Sequence, residues 1–584
     1  MMAAFVTLKD FFKKHKWNYI IGVSWLLFID LIQLLVPQIL RSFTDNLKDG
    51  LLDKTGIIKY GFLIILTGLL IGVGRYFWRI YILGTSRELE YYLRKRLFNH
   101  LLTLSPNYFN THKTGDLMAH ATNDVNAVRM AVGQGTIMIV DSAFMIILTL
   151  IMMVKTTNLK LTAISLFTLP FIIIFVNRFG KIIHKRFRIV QEAFSNLTDV
   201  TQESLSGIRV VKSFVQEDLV LENFTKVNED NLKKNIRLVL VSGTFHPFIH
   251  LISSLSFLLI IFYGGKEVIL NRISLGDFIA FNSYLGLLVW PMMALGWVIN
   301  LLQRGAASME RINAILDEEP EIKDSENAID LKEVKGKIQF KNVSFKYPRS
   351  ENYALKNIDF TIEPGKSLAI IGKTGSGKTT IVNLLLRLYE IEEGEIYLDD
   401  IPIKKLTLKS LRESIGYVPQ DNFLFSTTIE ENIGFSFEGE MDREKVVYAA
   451  KLAEIYDNII SFPNGFDTIL GERGVTISGG QKQRTSIARA LIKEPAILIL
   501  DDSLSSVDTE TEEKILNNLK NFMNERTTII ISHRISTVKD CDEIIVIDEG
   551  EIVERGTHDH LLAQKGIYYE LHEKQLLEEK IIND

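Results

Sequence analysis

The chain has 584 residues, a single cysteine and a formal net charge of −5. That length predicts several domains. The lone thiol, Cys541, excludes an internal disulfide or a cysteine-rich metal cluster, and the small charge, with no long basic block, excludes nucleic acid as an expected partner. Composition then divides the chain. Up to about Gln303 it is dominated by long Leu/Ile/Phe/Val runs, and from about Lys335 it alternates short apolar strands with polar helices.

A helix needs about 20 mostly apolar residues to cross the hydrocarbon core. Six stretches qualify, near residues 19–42, 57–83, 135–154, 159–177, 245–263 and 275–302. The apolar run behind the lysine-dotted N-terminus is too long for a signal-peptide core and has no small-residue cleavage site, so it reads as a retained first span. Lys9, Lys13, Lys14 and Lys16 precede span one, Arg87, Arg94, Lys95 and Arg96 follow span two, and Lys181, Lys185, Arg186 and Arg188 follow span four. The positive-inside rule therefore puts both termini and the connections 85–131 and 180–242 in the cytosol. Both connections are helix-periodic, with Leu89, Leu93, Leu97 and Leu101 at i+4 spacing, so spans two to five are expected to run on into the cytosol as helices. The hairpin tips are expected at residues 114–125 and 204–214, where a short helix would press on a cytosolic domain. Within the spans, Asp30, Asp141, His246 and His250 are ionisable. Such groups mark functional sites by default, and facing a watery vestibule or pairing with a neighbouring helix is the equal alternative. Phe257, Phe262, Phe281, Tyr284, Trp290 and Trp297 either line an apolar cavity or face lipid.

Residues 317–335 are acidic and weakly periodic, and Pro320 stops the preceding helix. They read as a linker. Beyond it, the apolar strand SLAII (367–371) runs into GKTGSGKT (372–379) and then IVNLLLRLY. Strand, glycine loop and helix in that order make a phosphate loop. The N–H groups of Gly372, Lys373, Thr374, Gly375, Ser376, Gly377, Lys378, Thr379 and the adjoining Thr380 converge on phosphate oxygens at a helix N-terminus. Lys378 is placed to reach the β- and γ-phosphates of ATP, and the Thr379 hydroxyl to ligate Mg²⁺. The run ILIL (497–500) ends in Asp501 and Asp502, a buried strand with carboxylates at its tip, where ligands sit in open α/β sheets. Asp501 is placed to hold the Mg²⁺ shell. A second such run, 528–531, ends at Ser532 and His533, where an imidazole meets the γ-phosphate or the attacking water.

With ISGGQ (477–481) between the phosphate loop and the acidic strand end, the chain resembles an ATP-binding cassette exporter half over essentially its whole length. The resemblance implies a membrane all-α domain of six helices (the type I exporter fold) over 1–316, a linker over 317–335 and an α/β P-loop nucleotide-binding domain over 336–584. It implies further that Tyr347 stacks on adenine, and that Gln420 touches Mg²⁺ and senses the membrane domain. Ser478, Gly479, Gly480 and Gln481 would reach the ATP held by a partner subunit. Residues 471–473 (Gly, Glu, Arg) would contact the coupling helices, and 505–508 would link the two sites. Ile477 replaces the usual Leu. The family expects Glu where this chain has Asp502, the base that polarises the attacking water. A weak base beside an intact ISGGQ resembles the Asp-bearing half of bacterial heterodimeric multidrug exporters, and a homodimer with Asp at both sites is the alternative. The expected activity is ATP-driven export of small amphiphilic or hydrophobic compounds across a bacterial plasma membrane. The rivals are a lipid or peptide exporter, with the lack of an extra N-terminal domain weighing against a peptide processor, and a sensor that uses ATP occupancy without transport.

Overall fold

In this computed structural model, which describes residues 3–583 except 168, 349, 438, 440, 472, 473, 475 and 476, the chain divides into two units. One comprises the chain up to Leu102 together with Thr114–Glu318, and the other comprises Thr103–Lys113 and everything from Glu319 onward.

The first unit is helical. Five helical runs among the described residues are long and apolar enough to cross a membrane: Ala3–Lys48, Lys54–Leu101, Thr114–Thr156, Glu217–Ile269 and Leu275–Leu316. Each has 42 to 53 residues, so at 1.5 Å per residue it is about 60–80 Å long, twice the roughly 30 Å hydrocarbon core. The expected continuation of the spans as extramembrane helices is therefore present. The fourth expected span runs through Leu159–Leu166 and the long helix Leu169–Ser206, with residue 168 between them outside the described residues. On Lys54–Trp78, Ile58 and Ile65 are 71% and 70% exposed. A face of that kind on so long a helix requires an apolar surrounding.

Side chains set the helix ends. Asp53 accepts the Gly56 N–H at 2.7 Å to start Lys54–Trp78. Ser274 and Asp277 form a reciprocal capping box at the start of Leu275–Leu316. There the backbone meets the end of the first helix: Asp45 accepts from Gly276 N (2.8 Å) and Ser274 Oγ (2.7 Å), and a Cβ on Gly276 would lie 2.3 Å from the Arg41 carbonyl. In the helix-periodic segment after residue 114, buried Asp124 accepts from Ser308 Oγ (2.8 Å) and Arg311 Nε (2.9 Å), and His120 Nδ1 lies 2.6 Å away. Burial opposes its ionisation, but Arg311, His120 and Ser308 prevail and bring its pKa down to about 2.

The two expected hairpin tips fare differently. Near 204–214, Leu169–Ser206 ends at Gly207, and a short helix, Ile208–Ser213, follows with Val210 and Phe214 exposed. Near 114–125 the chain is already part of one continuous helical run, Thr114–Thr156. The preceding short helix, Pro106–Thr111, is instead the piece that joins the second unit. Asn110 Nδ2 donates to Tyr389 Oη (2.8 Å), while Ser105 Oγ and Asn107 Nδ2 donate to Glu321 (3.0 and 3.2 Å).

The second unit is α/β. Its ten strands are β1 Ile338–Phe345, β2 Leu355–Ile362, β3 Ser367–Gly372, β4 Glu393–Leu398, β5 Ile401–Pro402, β6 Ile415–Val418, β7 Ile497–Asp501, β8 Thr527–Ile531, β9 Glu543–Asp548 and β10 Glu551–Gly556. An antiparallel sheet has the order β2-β1-β4-β5. A second sheet has the order β10-β9-β3-β8-β7-β6, parallel except for β10. Every residue of β7 and β8 is buried, as a parallel sheet covered on both faces requires. The stretch expected as a linker is tied down from Glu319 on. Ile329 N donates to the Lys405 carbonyl (2.7 Å), Asp324 accepts from Leu408 N (2.7 Å), and the Asp399 carboxylate accepts from the backbones of Lys335, Gly336 and Lys337. Within the stretch, Asp324 serves as an acceptor for a backbone donor, so its charge does not signal a free tether.

Candidate functional site

The order β3-β8-β7 brings three strand ends together. β3 ends at Gly372, β8 leads into Ser532 and His533, and Asp501 pairs in register with Ile531. Beyond these tips lies a cavity of about 340 Å³ lined by Tyr347, Thr374, Gly375, Gly377, Lys378, Thr379, Thr380, Gln420, Asp501, Asp502 and His533. Residues spread over nearly two hundred positions thus meet in one place, at the carboxyl ends of parallel strands.

The loop conformation follows from its glycines. Gly377 has φ +104° and stands at the N-terminus of Lys378–Leu385. A Cβ there would lie 2.5 Å from the Ala354 carbonyl, so no other residue fits. Buried Lys378 donates from Nζ to the carbonyls of Gly372 (2.8 Å) and Lys373 (2.7 Å). Burial lowers its pKa, and Asp501 and Asp502 act against that shift. Its ammonium is thus held against the carbonyls of the glycine loop, in the lining of the cavity.

Asp501 is 1% exposed. Burial raises its pKa, against the opposing pull of the Thr379 hydroxyl and Lys378. Thr379 Oγ1 donates to Asp501 Oδ1 (3.3 Å), while Oδ2 makes no hydrogen bond of good geometry, with the Tyr417 hydroxyl the other polar group near the carboxylate. A buried carboxylate oxygen without a well-placed donor, beside a hydroxyl and the amide side chain of Gln420, is a set of hard oxygen donors suited to Mg²⁺, which takes one or two carboxylates and completes its shell with water and phosphate. Asp502, one residue past the strand, has φ +45° and donates its N–H to the Ile531 carbonyl (2.8 Å). His533 is held below the ordinary imidazole range by burial and then by the nearby Lys378 charge, with Asp502 acting the other way. These influences favour the neutral form of its ring.

Tyr347 Oη lies 3.1 Å from Thr380 Oγ1, and its ring meets Tyr389 edge-on at 5.1 Å. Tyr389 is the side chain that accepts from Asn110. Sequence reasoning missed both Asn110 and Tyr389, because a hydrogen bond spanning 279 positions leaves no local signal.

Ser478, Gly479, Gly480 and Gln481 do not line this cavity. Ser478 and Gln481 form a capping box that opens the helix Gly479–Leu491 (Ser478 N to Gln481 Oε1, 3.0 Å). Gln483 ties that helix to the 505–508 loop through Ser506 N (2.9 Å) and Ser505 Oγ (3.2 Å). The result is a helix N-terminus with backbone donors suited to an anion, separate from the chain's own phosphate loop. Of the 471–473 segment, Glu472 and Arg473 lie outside the described residues.

Comparison with known proteins matches both halves of the chain. The family model for the ABC transporter transmembrane region matches residues 19–292, and a second, described as "ABC transporter", matches 355–505. A Bacillus subtilis (strain 168) protein named "Probable multidrug resistance ABC transporter ATP-binding/permease protein YheI" is 41% identical over 99% of this chain and 98% of its own. An "ATP-dependent lipid A-core flippase" of Syntrophus aciditrophicus (strain SB) is 36% identical over 89% of this chain and 86% of its own. The solved structure of a bacterial Atm1-family ABC exporter with ATP bound superimposes with a TM-score of 0.78 at 27% identity, covering 97% of this chain and 98% of that one.

Proposed function

The chain belongs to the ABC transporter family, as a membrane domain and an ATP-binding domain fused in one multi-pass polypeptide that hydrolyses ATP to drive export and works as a dimer; from that premise we propose that it is one half of a heterodimeric multidrug efflux pump whose own ATP site is the slow one. Its cargo in this reading is small, amphiphilic or hydrophobic molecules, in line with the words "multidrug resistance" in the name of the B. subtilis relative.

The observation that carries the proposal is Asp502. It lines the cavity beside Lys378, Asp501 and His533, at the position where the family resemblance calls for Glu. Asp is shorter by one C–C bond, about 1.5 Å, so its carboxylate stops short of a water placed for a Glu. The capped N-terminus at Ser478–Gln481 is intact and lies outside the lining of this site. In a face-to-face dimer it would complete the partner's ATP site.

Each side chain then has a role. Tyr347 carries the adenine. Lys378 and the loop N–H groups hold the β- and γ-phosphates. Thr379, Asp501 and Gln420 hold Mg²⁺, which when bound neutralises charge on the phosphates. Asp502 orients the attacking water weakly, and His533 addresses the γ-phosphate. ATP binding draws the two cassettes together. The motion passes through Pro106–Thr111, by way of Asn110 and Tyr389, and through the exposed tip at Val210 and Phe214, and turns the membrane cavity outward. Separate measurement of hydrolysis at each site of the dimer tests this: the proposal requires the Asp502 site to be the slower, and equal rates refute it.

A further inference from the structure

The loop after β8 has to hold His533 at the cavity, and two side chains from different helices grip it. Glu512, on Thr509–Met523 and 3% exposed, pairs with Arg534 and accepts from Thr537 Oγ1. From the C-terminal helix Ile567–Asn583, Gln575 Oε1 accepts from Ile535 N (2.9 Å) and Gln575 Nε2 donates to the His533 carbonyl. One carboxamide thus fixes both backbone groups flanking Arg534. It needs an acceptor at one atom and a donor at the other, which an ionised carboxylate cannot supply.

The helix carrying Gln575 is itself anchored. The Glu554 carboxylate, on β10, accepts from the N–H groups of Ile567 and Tyr568. Tyr568 is fully buried, with its hydroxyl 2.7 Å from His558 Nδ1. From Tyr568 to Gln575 is seven residues, about 10 Å of helix axis. The segment is a strut from the sheet edge to the histidine loop.

We propose that Gln575 is a positioning residue that holds His533 in register with the γ-phosphate, so that the C-terminal helix sets how well this site tells ATP from ADP. The inference rests on the reading of His533 as a γ-phosphate contact. Releasing the His533 carbonyl would let the ring move by an ångström or more, enough to lose a directional hydrogen bond, while leaving the contacts to the α- and β-phosphates in place.

The test uses the full-length transporter in nanodiscs carrying Gln575→Leu, Gln575→Glu or His533→Ala. Amide hydrogen exchange is followed at Ile535, and ATP and ADP compete for photolabelling of this chain's own site. Gln575→Leu is expected to raise exchange at Ile535 at least tenfold and to lower the ATP-over-ADP preference roughly tenfold, towards the His533→Ala value, with ADP affinity unchanged. Gln575→Glu keeps the acceptor, so it is expected to leave Ile535 protected yet still to lose preference for ATP. Unchanged exchange in Gln575→Leu overturns the grip. Raised exchange with intact ATP preference, where His533→Ala loses that preference, overturns the positioning role. An unaffected His533→Ala refutes the γ-phosphate reading itself, and the positioning role falls with it.

Discussion

Replacing Asp502 with Glu lengthens the proposed base by one C–C bond, about 1.5 Å. The backbone at this position is fixed by the hydrogen bond from Asp502 N to Ile531 O (2.8 Å), so the change is confined to the side chain. Misplacing a catalytic group by about 1 Å costs on the order of a hundredfold, equivalent to about 2.7 kcal/mol of barrier. A competing term comes from φ +45° at this residue. Asp tolerates the left-handed region better than Glu, which pays up to roughly 1–2 kcal/mol there. That penalty falls on folding in the ground state and transition state alike, whereas the gain falls on the barrier alone. Asp502→Glu is therefore expected to raise turnover at this site between about tenfold and a hundredfold, with a small loss in thermal stability. The assay is phosphate release under saturating ATP from a dimer whose partner site has been silenced at its own base. Turnover that stays the same or falls, with ATP binding intact, would refute the placement of Asp502 as the base.

Lys378→Ala is expected to abolish ATP binding at this chain's own site, read as lost photolabelling by an ATP analogue; undiminished labelling would contradict the phosphate-loop geometry. Ser478→Ala should depress total ATPase activity more than Asp502→Ala does, because Ser478 is assigned to the partner's faster site; equal losses in steady-state assays would favour a symmetric homodimer. Asp124→Asn removes the partner of Arg311. The native carboxyl is lowered from 3.8 to about 2, a shift worth on the order of 2 kcal/mol of stability. Because the folded-state pKa is the lower one, that contribution is complete above about pH 4 and is lost as pH falls towards 2. The difference in thermal stability between wild type and Asp124→Asn should thus stay constant from pH 7 to about 4 and shrink below it, and a difference that grows on acidification would contradict the ion pairing.

Much of this was legible in the sequence, for local reasons. Apolar runs of bilayer length and their basic flanks mark the membrane helices. The glycine loop sits between a buried strand and a helix, so Lys378, Thr379 and Asp501 could be brought together from strand-tip logic alone. What stayed hidden depends on contacts distant in sequence. Helical periodicity at 114–125 reports a helix but not what the helix touches, and the segment that joins the second unit is Pro106–Thr111, through Asn110 and Tyr389. The acidic stretch 319–335 resembles a tether in composition, yet Asp324 and the Ile329 backbone are hydrogen-bonded to the α/β unit. Gln575 stands among charged helix residues, and nothing nearby in sequence announces its bonds to His533 and Ile535, some forty positions away.

In the proposed heterodimer this polypeptide supplies one sluggish ATP site and a sound signature for a mate. The most direct test is steady-state ATP turnover and transport by the purified chain alone in nanodiscs, against the same chain assembled with a second half bearing Glu at the base position. Scant turnover and no pumping are expected from the chain alone, with both restored on assembly; vigorous hydrolysis and transport by the chain on its own would overturn the slow-site reading.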